Sequence, residues 1–193
     1  MQTKHPLPPL PETQTALIRA YFEFNHLKNL FRQGWLVAGI ARERCESVAE
    51  HSFGVAILGL LLCDQIFHDL DPLKVIRMAL LHDFGEVYAG DFTPVDDVTP
   101  AEKRRLERES VSRVLGSLPQ GDVYLALWDD FETGDSREAQ LVRQLDRLEM
   151  GLQALVYEHT TTTQLSGFYN SVDKALQDPN LRALLTEMLT LRP

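Results

Sequence analysis

Four side chains in this sequence sit where apolar core is expected, yet suit a metal ion better: His51, the adjacent pair His82-Asp83, and Asp146. Their surroundings are apolar and helix-periodic: Ala-Glu-His51-Ser-Phe, Ala-Leu-Leu-His82-Asp83-Phe-Gly-Glu86 and Leu-Val-Arg-Gln-Leu-Asp146-Arg-Leu-Glu-Met. An unpaired carboxylate in such a setting is costly or shifts its pKa, so buried ones are usually paired or bound to metal. Two imidazoles and two carboxylates make a nitrogen/oxygen donor set for one hard or borderline divalent cation, and that chemistry does not choose among Mn, Co, Fe, Zn and Mg. With a position left open, such an ion acidifies a bound water and polarises a phosphoryl oxygen, which is hydrolytic chemistry. Glu86 lies three residues from Asp83 and four from His82, so a continuous helix would aim all three at one region, with Glu86 as general base or orienter of the water. Taken singly, each residue has a plainer reading. A His-Asp dipeptide can be coincidence, His51 can be a polar residue at a helix start, and Asp146 can pair with Arg143 or Arg147.

The elements that would position these groups read as helices throughout. Ala16, Leu17, Ala20, Tyr21, Phe24 and Leu27 recur at helical spacing. The segment Leu30–Arg44 is irregular and reads as an ordered loop. A second helix is expected from about Ser47 to Phe67, and a third from Leu73 to about Tyr88, with Asp71-Pro72 at its start. Gly90–Asp97 reads as a loop, and Thr99-Pro100-Ala-Glu102 as an N-cap with a capping-box glutamate opening a charged helix to about Gly116. Helices near 120–132, 137–159, 166–177 and 179–191 complete an all-α domain over 13–193, preceded by a proline-rich extended arm over 1–12. The last of them carries Leu181, Leu184, Leu185, Met188 and Leu189, which suit either core or interface.

Composition narrows the function classes. At 193 residues with 44% hydrophobic content, the chain is most simply one globular domain. The longest apolar run, Phe53 to Cys63, is short for a membrane span, the N-terminus lacks a signal-peptide core, and Cys45 and Cys63 form no CxxC pair; reduced, inert thiols and a cytoplasmic location are expected. A net charge of −9 argues against binding a nucleic-acid polymer, and the densest basic cluster, Lys103-Arg104-Arg105, is interleaved with Glu102, Glu107 and Glu109 and reads as a solvated face. A small anionic substrate remains compatible with that balance if a local cation and a metal receive it.

The order and spacing of the whole set resemble the HD-domain superfamily, an all-helical, metal-dependent group whose ligand pattern H…HD…D matches His51, His82, Asp83 and Asp146. Glu-Ser-Val-Ala-Glu-His51-Ser, Leu-Leu-His82-Asp83-Phe-Gly-Glu86-Val-Tyr-Ala-Gly90-Asp91 and Gln-Leu-Asp146-Arg-Leu-Glu-Met are similar to the HD-domain 5′-deoxynucleotidases. The resemblance spans roughly Leu27 to Leu189. It implies a helical bundle with the metal in its core, removal of phosphate from deoxyribonucleoside 5′-monophosphates, and a homodimer. It also implies that Glu86 and Asp91 act on the water, leaving group or phosphate. By the same resemblance Arg32 clamps the phosphate and Trp35 packs against sugar or base, the plainer readings being a loop arginine and a core aromatic. In those enzymes the Arg and Trp can be adjacent, whereas here Gln33-Gly34 separate them. No histidine lies between His82 and His159, which argues against a two-metal phosphodiesterase or a diiron oxygenase; His5, His26, His68 and His159 fall outside every motif. The competing functions are a mononuclear HD hydrolase of another nucleotide class, such as a pyrophosphohydrolase, and a non-catalytic nucleotide-binding HD module.

Overall fold

A computed structural model describes residues 3, 11–93 and 96–193. Among these the helices are α1 (Ala16–Phe24), α2 (Gln33–Val37), α3 (Val48–Gln65), α4 (Pro72–Leu81), α5 (Glu86–Ala89), α6 (Pro100–Leu115), α7 (Gly121–Thr133), α8 (Arg137–Thr160), α9 (Ser166–Ala175) and α10 (Pro179–Thr190), with 3-10 turns at Asn25–Lys28 and His82–Gly85. No strand occurs among the described residues, only isolated bridges between Thr3 and Leu30 and between Phe31 and Ser47. Apart from Thr3, Pro11 and Glu12, the expected arm over 1–12 lies outside the described residues, as does His5.

Local sequence explains where several helices begin. Ser47 and Glu50 form a reciprocal capping box at α3: Glu50 N–H donates to Ser47 Oγ at 3.3 Å and Ser47 N–H to Glu50 Oε2 at 2.6 Å. Asp71 Oδ1 accepts from the amides of Leu73 and Lys74, with Pro72 at the first helical position of α4. At α6 only half of the expected box forms. Thr99 Oγ1 accepts from Glu102 N–H, but the Glu102 carboxylate is held by Arg105 at 2.6 and 3.0 Å instead of turning back to the cap.

Two apolar clusters fill the interior. One is built on α3, α4, α8, α9 and α10 and contains Val55, Met78, Leu145, Val172 and Leu181; the other contains Leu27, Leu30, Val48, Val111 and Trp128. Along α3, His51 falls between Val48 of one cluster and Val55 of the other, and His82-Asp83 likewise fall between Ala79 and Val87. The polar groups thus occupy the seam between two hydrophobic bodies. On α10, Leu181, Leu185 and Met188 are core, while Leu184 and Leu189 face outward. By length and composition α3 could cross a membrane, but its inner face packs on α4 and α8 and carries His51.

Two further departures from the sequence reading lie beside the seam. Within Leu30–Arg44 a short helix, α2, replaces the expected loop, and its first amide, Gln33 N–H, donates to Asp91 Oδ2 at 2.6 Å across 58 positions of sequence. The expected continuous helix over 73–88 is broken at His82. Trp128 Nε1–H donates to the His82 carbonyl at 3.0 Å, and Glu86 N–H turns to the Asp83 carbonyl in 3-10 fashion. Ser110 then inserts between Phe84 and Tyr88, its Oγ accepting from Tyr88 N–H at 3.1 Å and donating to Phe84 O at 3.4 Å. The tight turn is needed because α6 crosses there: a Cβ on Gly85 would stand 2.5 Å from the Glu107 Cβ.

Candidate metal centre

Three imidazole and carboxylate donors converge on the seam: His51 from α3 and His82 and Asp83 from the 3-10 turn offer ligand atoms all within 4.8 Å of one another. Asp83 Oδ2 lies 3.3 Å from His82 Nε2 and 3.8 Å from His51 Nε2. Asp146, from the middle of α8, joins through Oδ1, 3.1 Å from His51 Nε2. Its other oxygen is 3.5 Å from Arg147 Nε, so the pairing that sequence suggested as an alternative coexists with the cluster. His82 Nδ1–H donates to the Ala79 carbonyl at 2.7 Å, which turns Nε2 toward the seam. That Nε2 is buried and has no hydrogen-bond partner. Buried polar atoms are nearly always satisfied, so a ring nitrogen aimed at a carboxylate and a second imidazole is what a cation site looks like without its ion. The donor set therefore fits a divalent metal.

Behind His51 stands a residue that the motif reading passed over. Glu149 Oε2 lies 2.5 Å from His51 Nδ1, fixing the ring so that Nε2 faces Asp146 and Asp83. Gly54, one turn along α3, makes room for that carboxylate: a Cβ there would meet Glu149 Oε1 at 2.5 Å and its Cγ at 3.1 Å. The only sequence signal was spacing, Glu149 being three residues after Asp146 on α8. Burial and Arg32 work against a charged His51, yet its bonds to Asp146 and Glu149 outweigh them and hold the imidazolium up to about 10 in the metal-free chain. Asp83 and Asp146 are held well below the usual carboxylate range, because His82 and Arg32 for the first, and His51 and Arg147 for the second, overcome the push of burial.

The remaining groups face a cavity of about 1170 Å³ that opens beside the donors. Glu86 is 3% exposed, and its Oε2 has no partner; burial, then the neighbouring Asp83 and Asp91, push its carboxyl well up. Burial likewise raises Asp91, opposed by Arg32. Arg32 Nη1 sits 3.5 Å from Asp83 Oδ2 and 4.0 Å from Asp91 Oδ1, so it stands over the acids as a buried cation rather than a loop arginine. Trp35 is brought to the cavity wall but is itself 2% exposed. Its ring stacks on Phe168 at 4.1 Å, meets Tyr157 edge-on, and donates Nε1–H to Glu46 Oε1 at 2.7 Å. Its packing is thus that of a core aromatic, and its stacking partner Phe168 lines the cavity with it. One reading is extended: Lys103 keeps a side chain 41% exposed, in line with the solvated face read from sequence, yet it also lines this cavity, while Arg105 on the same helix lies outside, bound to Glu102 and Glu109.

A family model described as HD domain matches residues 24–183. The chain is 34% identical over 182 residues to the 5′-deoxynucleotidase HDDC2 of Mus musculus, covering 92% of this chain and 88% of that one. Among solved structures, the PH0347 protein of Pyrococcus horikoshii superposes with a TM-score of 0.75 at 29% identity, over 91% of this chain and 99% of its own. A protein from Magnetospirillum magnetotacticum described as a predicted metal-dependent phosphohydrolase superposes with a TM-score of 0.70 at 27% identity, over 95% and 94% of the two chains.

Proposed function

The chain belongs to the HD domain family, and from that membership we propose that it is a metal-dependent 5′-deoxynucleotidase, releasing inorganic phosphate from deoxyribonucleoside 5′-monophosphates. The observation that carries the reading is the buried, unpartnered Nε2 of His82, facing Asp83 and His51 beside a cavity that also holds an unpartnered Glu86 carboxyl and the Arg32 guanidinium. His51, His82, Asp83 and Asp146 would hold one divalent ion. When bound, that ion supplies an acidified water and polarises a phosphoryl oxygen.

The chain's own groups do the rest. Glu86 Oε2, raised in pKa and aimed into the cavity, takes the proton of the attacking water. Arg32 grips phosphate oxygens through its planar fork, in a setting where burial strengthens each charge-assisted bond. Asp91 accepts from Gln33 N–H and faces Arg32, holding the guanidinium toward the phosphate, and the proton taken up by Glu86 passes to the departing nucleoside oxygen. Phe168, backed by Trp35, offers an aromatic surface to sugar or base, and the cavity is large enough for a nucleotide. We place the enzyme in the cytoplasm, in keeping with two free, buried cysteines, and as a homodimer through the outward face of α3, where Phe53, Ile57, Leu60 and Leu61 are exposed at helical spacing.

The test is a phosphate-release screen of nucleoside monophosphates against a panel of divalent ions. Glu86→Gln should lose about 10²–10⁴-fold in turnover while keeping its metal. Absence of phosphate release by the wild-type chain from every nucleoside monophosphate would overturn the assignment, and equal activity in the variant would remove Glu86 from the mechanism.

A further inference from the structure

Lys103 is the one residue of the Lys103-Arg104-Arg105 run that turns inward. It sits in the first turns of α6, lines the cavity together with Arg32, Asp83, Glu86 and Asp91, and is steered there by Glu107, whose Oε1 is 3.4 Å from Lys103 Nζ across one helical turn. Arg104 and Arg105 are exposed, so the inward turn of Lys103 is not a property of the run but of its place one helical turn before Glu107, which packs on Gly85 of the ligand-bearing turn.

Charge balance at the site shows what this lysine is for. Two aspartates offset a divalent ion, and Asp91 offsets Arg32, which leaves the Glu86 carboxylate facing any phosphate dianion that enters. Of the other cations lining the cavity, Arg143 donates to the Phe131 and Glu132 carbonyls and Arg147 pairs with Asp146, so Lys103 is the one that interacts with Glu86, Asp83 and Asp91 without being committed to any of them. Burial works against its charge, but Glu107, Glu86, Asp83 and Asp91 together hold it protonated above the usual lysine value. Its side chain keeps 41% of its exposure, so it retains the freedom to leave Glu107 and follow a ligand, where Arg32 is pinned at 15%. A flexible ammonium at a rim beside a fixed guanidinium is a common division of labour for phosphate: one point charge that captures, one fork that orients.

We infer that Lys103 is a second phosphate-binding residue of this site, meeting the substrate's phosphate from α6 opposite the Arg32 clamp, with Glu107 as its resting partner. The inference rests on the phosphatase reading above. Its test compares wild type, Lys103→Met and Lys103→Arg in the full-length, metal-loaded chain. Two quantities are read: KM and kcat for a deoxynucleoside 5′-monophosphate, and the Kd of inorganic phosphate by calorimetry. Lys103→Met should raise both KM and the phosphate Kd about tenfold, with the affinity of the phosphate-free nucleoside unchanged and a shallower salt dependence; Lys103→Arg should restore most of the loss. Wild-type phosphate affinity in Lys103→Met, with only thermal stability reduced, would show that the lysine merely neutralises Glu107 and would overturn the inference. A wild-type chain that turns over no nucleotide sinks the phosphatase reading separately, and the phosphate Kd still decides Lys103.

Discussion

If the seam between the two hydrophobic bodies is a metal site, the ion must contribute to folding, and by an amount the structure lets one work out. The metal-free chain carries a buried, unpartnered His82 Nε2 and a convergence of Asp83, Asp146 and Glu86, opposed mainly by Arg32 and a protonated His51. None of this geometry exists in the unfolded chain, so binding free energy appears as stability. At a free metal concentration 100 times Kd, linkage gives about 2.7 kcal/mol. For 193 residues, an unfolding entropy of roughly 0.4 kcal/mol/K follows from the per-residue average, which converts that gain into a rise in Tm of about 7 °C. The assay is a differential scanning experiment on chelator-treated protein, titrated with Mn, Co, Fe, Zn or Mg, beside a His82→Ala variant. The variant has a lower Tm from the start, because it leaves a cavity, but its Tm should move by less than about 2 °C over the same titration, the remaining donors holding the ion weakly. A wild-type Tm that moves no further than the variant's with every ion would refute the reasoning: His82 Nε2 would then be an orphan of packing, and the hydrolytic reading would lose its foundation.

Metal uptake should release about one proton at neutral pH, because the His51 imidazolium, held up to about 10 by Asp146 and Glu149, must be neutral to ligate. With a raised pKa the sign is fixed: affinity rises about tenfold per pH unit between pH 6 and 8, read by calorimetry in buffers of different ionisation enthalpy, and no proton release would contradict it. Glu149→Gln is expected to weaken metal binding by about 10–100-fold with little change in cavity-side groups, and Gly54→Ala to act in the same direction by displacing the Glu149 carboxylate from His51; unchanged metal Kd in both would leave Glu149 a packing residue. Arg32→Ala should lower kcat/KM by about 10²-fold or more, since it removes a buried charge-assisted contact and leaves Asp91 uncompensated; wild-type kinetics would return Arg32 to the status of a loop residue.

Much of this protein could be read from its amino acids, because the signals involved are local. Helical periodicity, the Ser47–Glu50 box and the Asp71-Pro72 start specify elements through neighbours within four residues, and the chemical type of His51, His82, Asp83 and Asp146 restricts what they can hold. Where the reading went astray, partners from far along the chain had taken over the backbone. Asp91 caps α2 from 58 positions away, and Trp128 and Ser110 claim the amide and carbonyl positions that would have carried α4 smoothly into Tyr88. The same long reach explains the residues that sequence passed over. Glu149 and Lys103 sit on ordinary charged helix faces until α8 packs against α3, and α6 crosses the turn at Gly85. Residue identity determined which atoms were available to bind a metal and a phosphate, through the fixed chemistry of imidazole, carboxylate and guanidinium. Only the tertiary structure decided which of them would meet, because convergence depends on how helices distant in sequence cross, and a spacing pattern carries no information about that crossing.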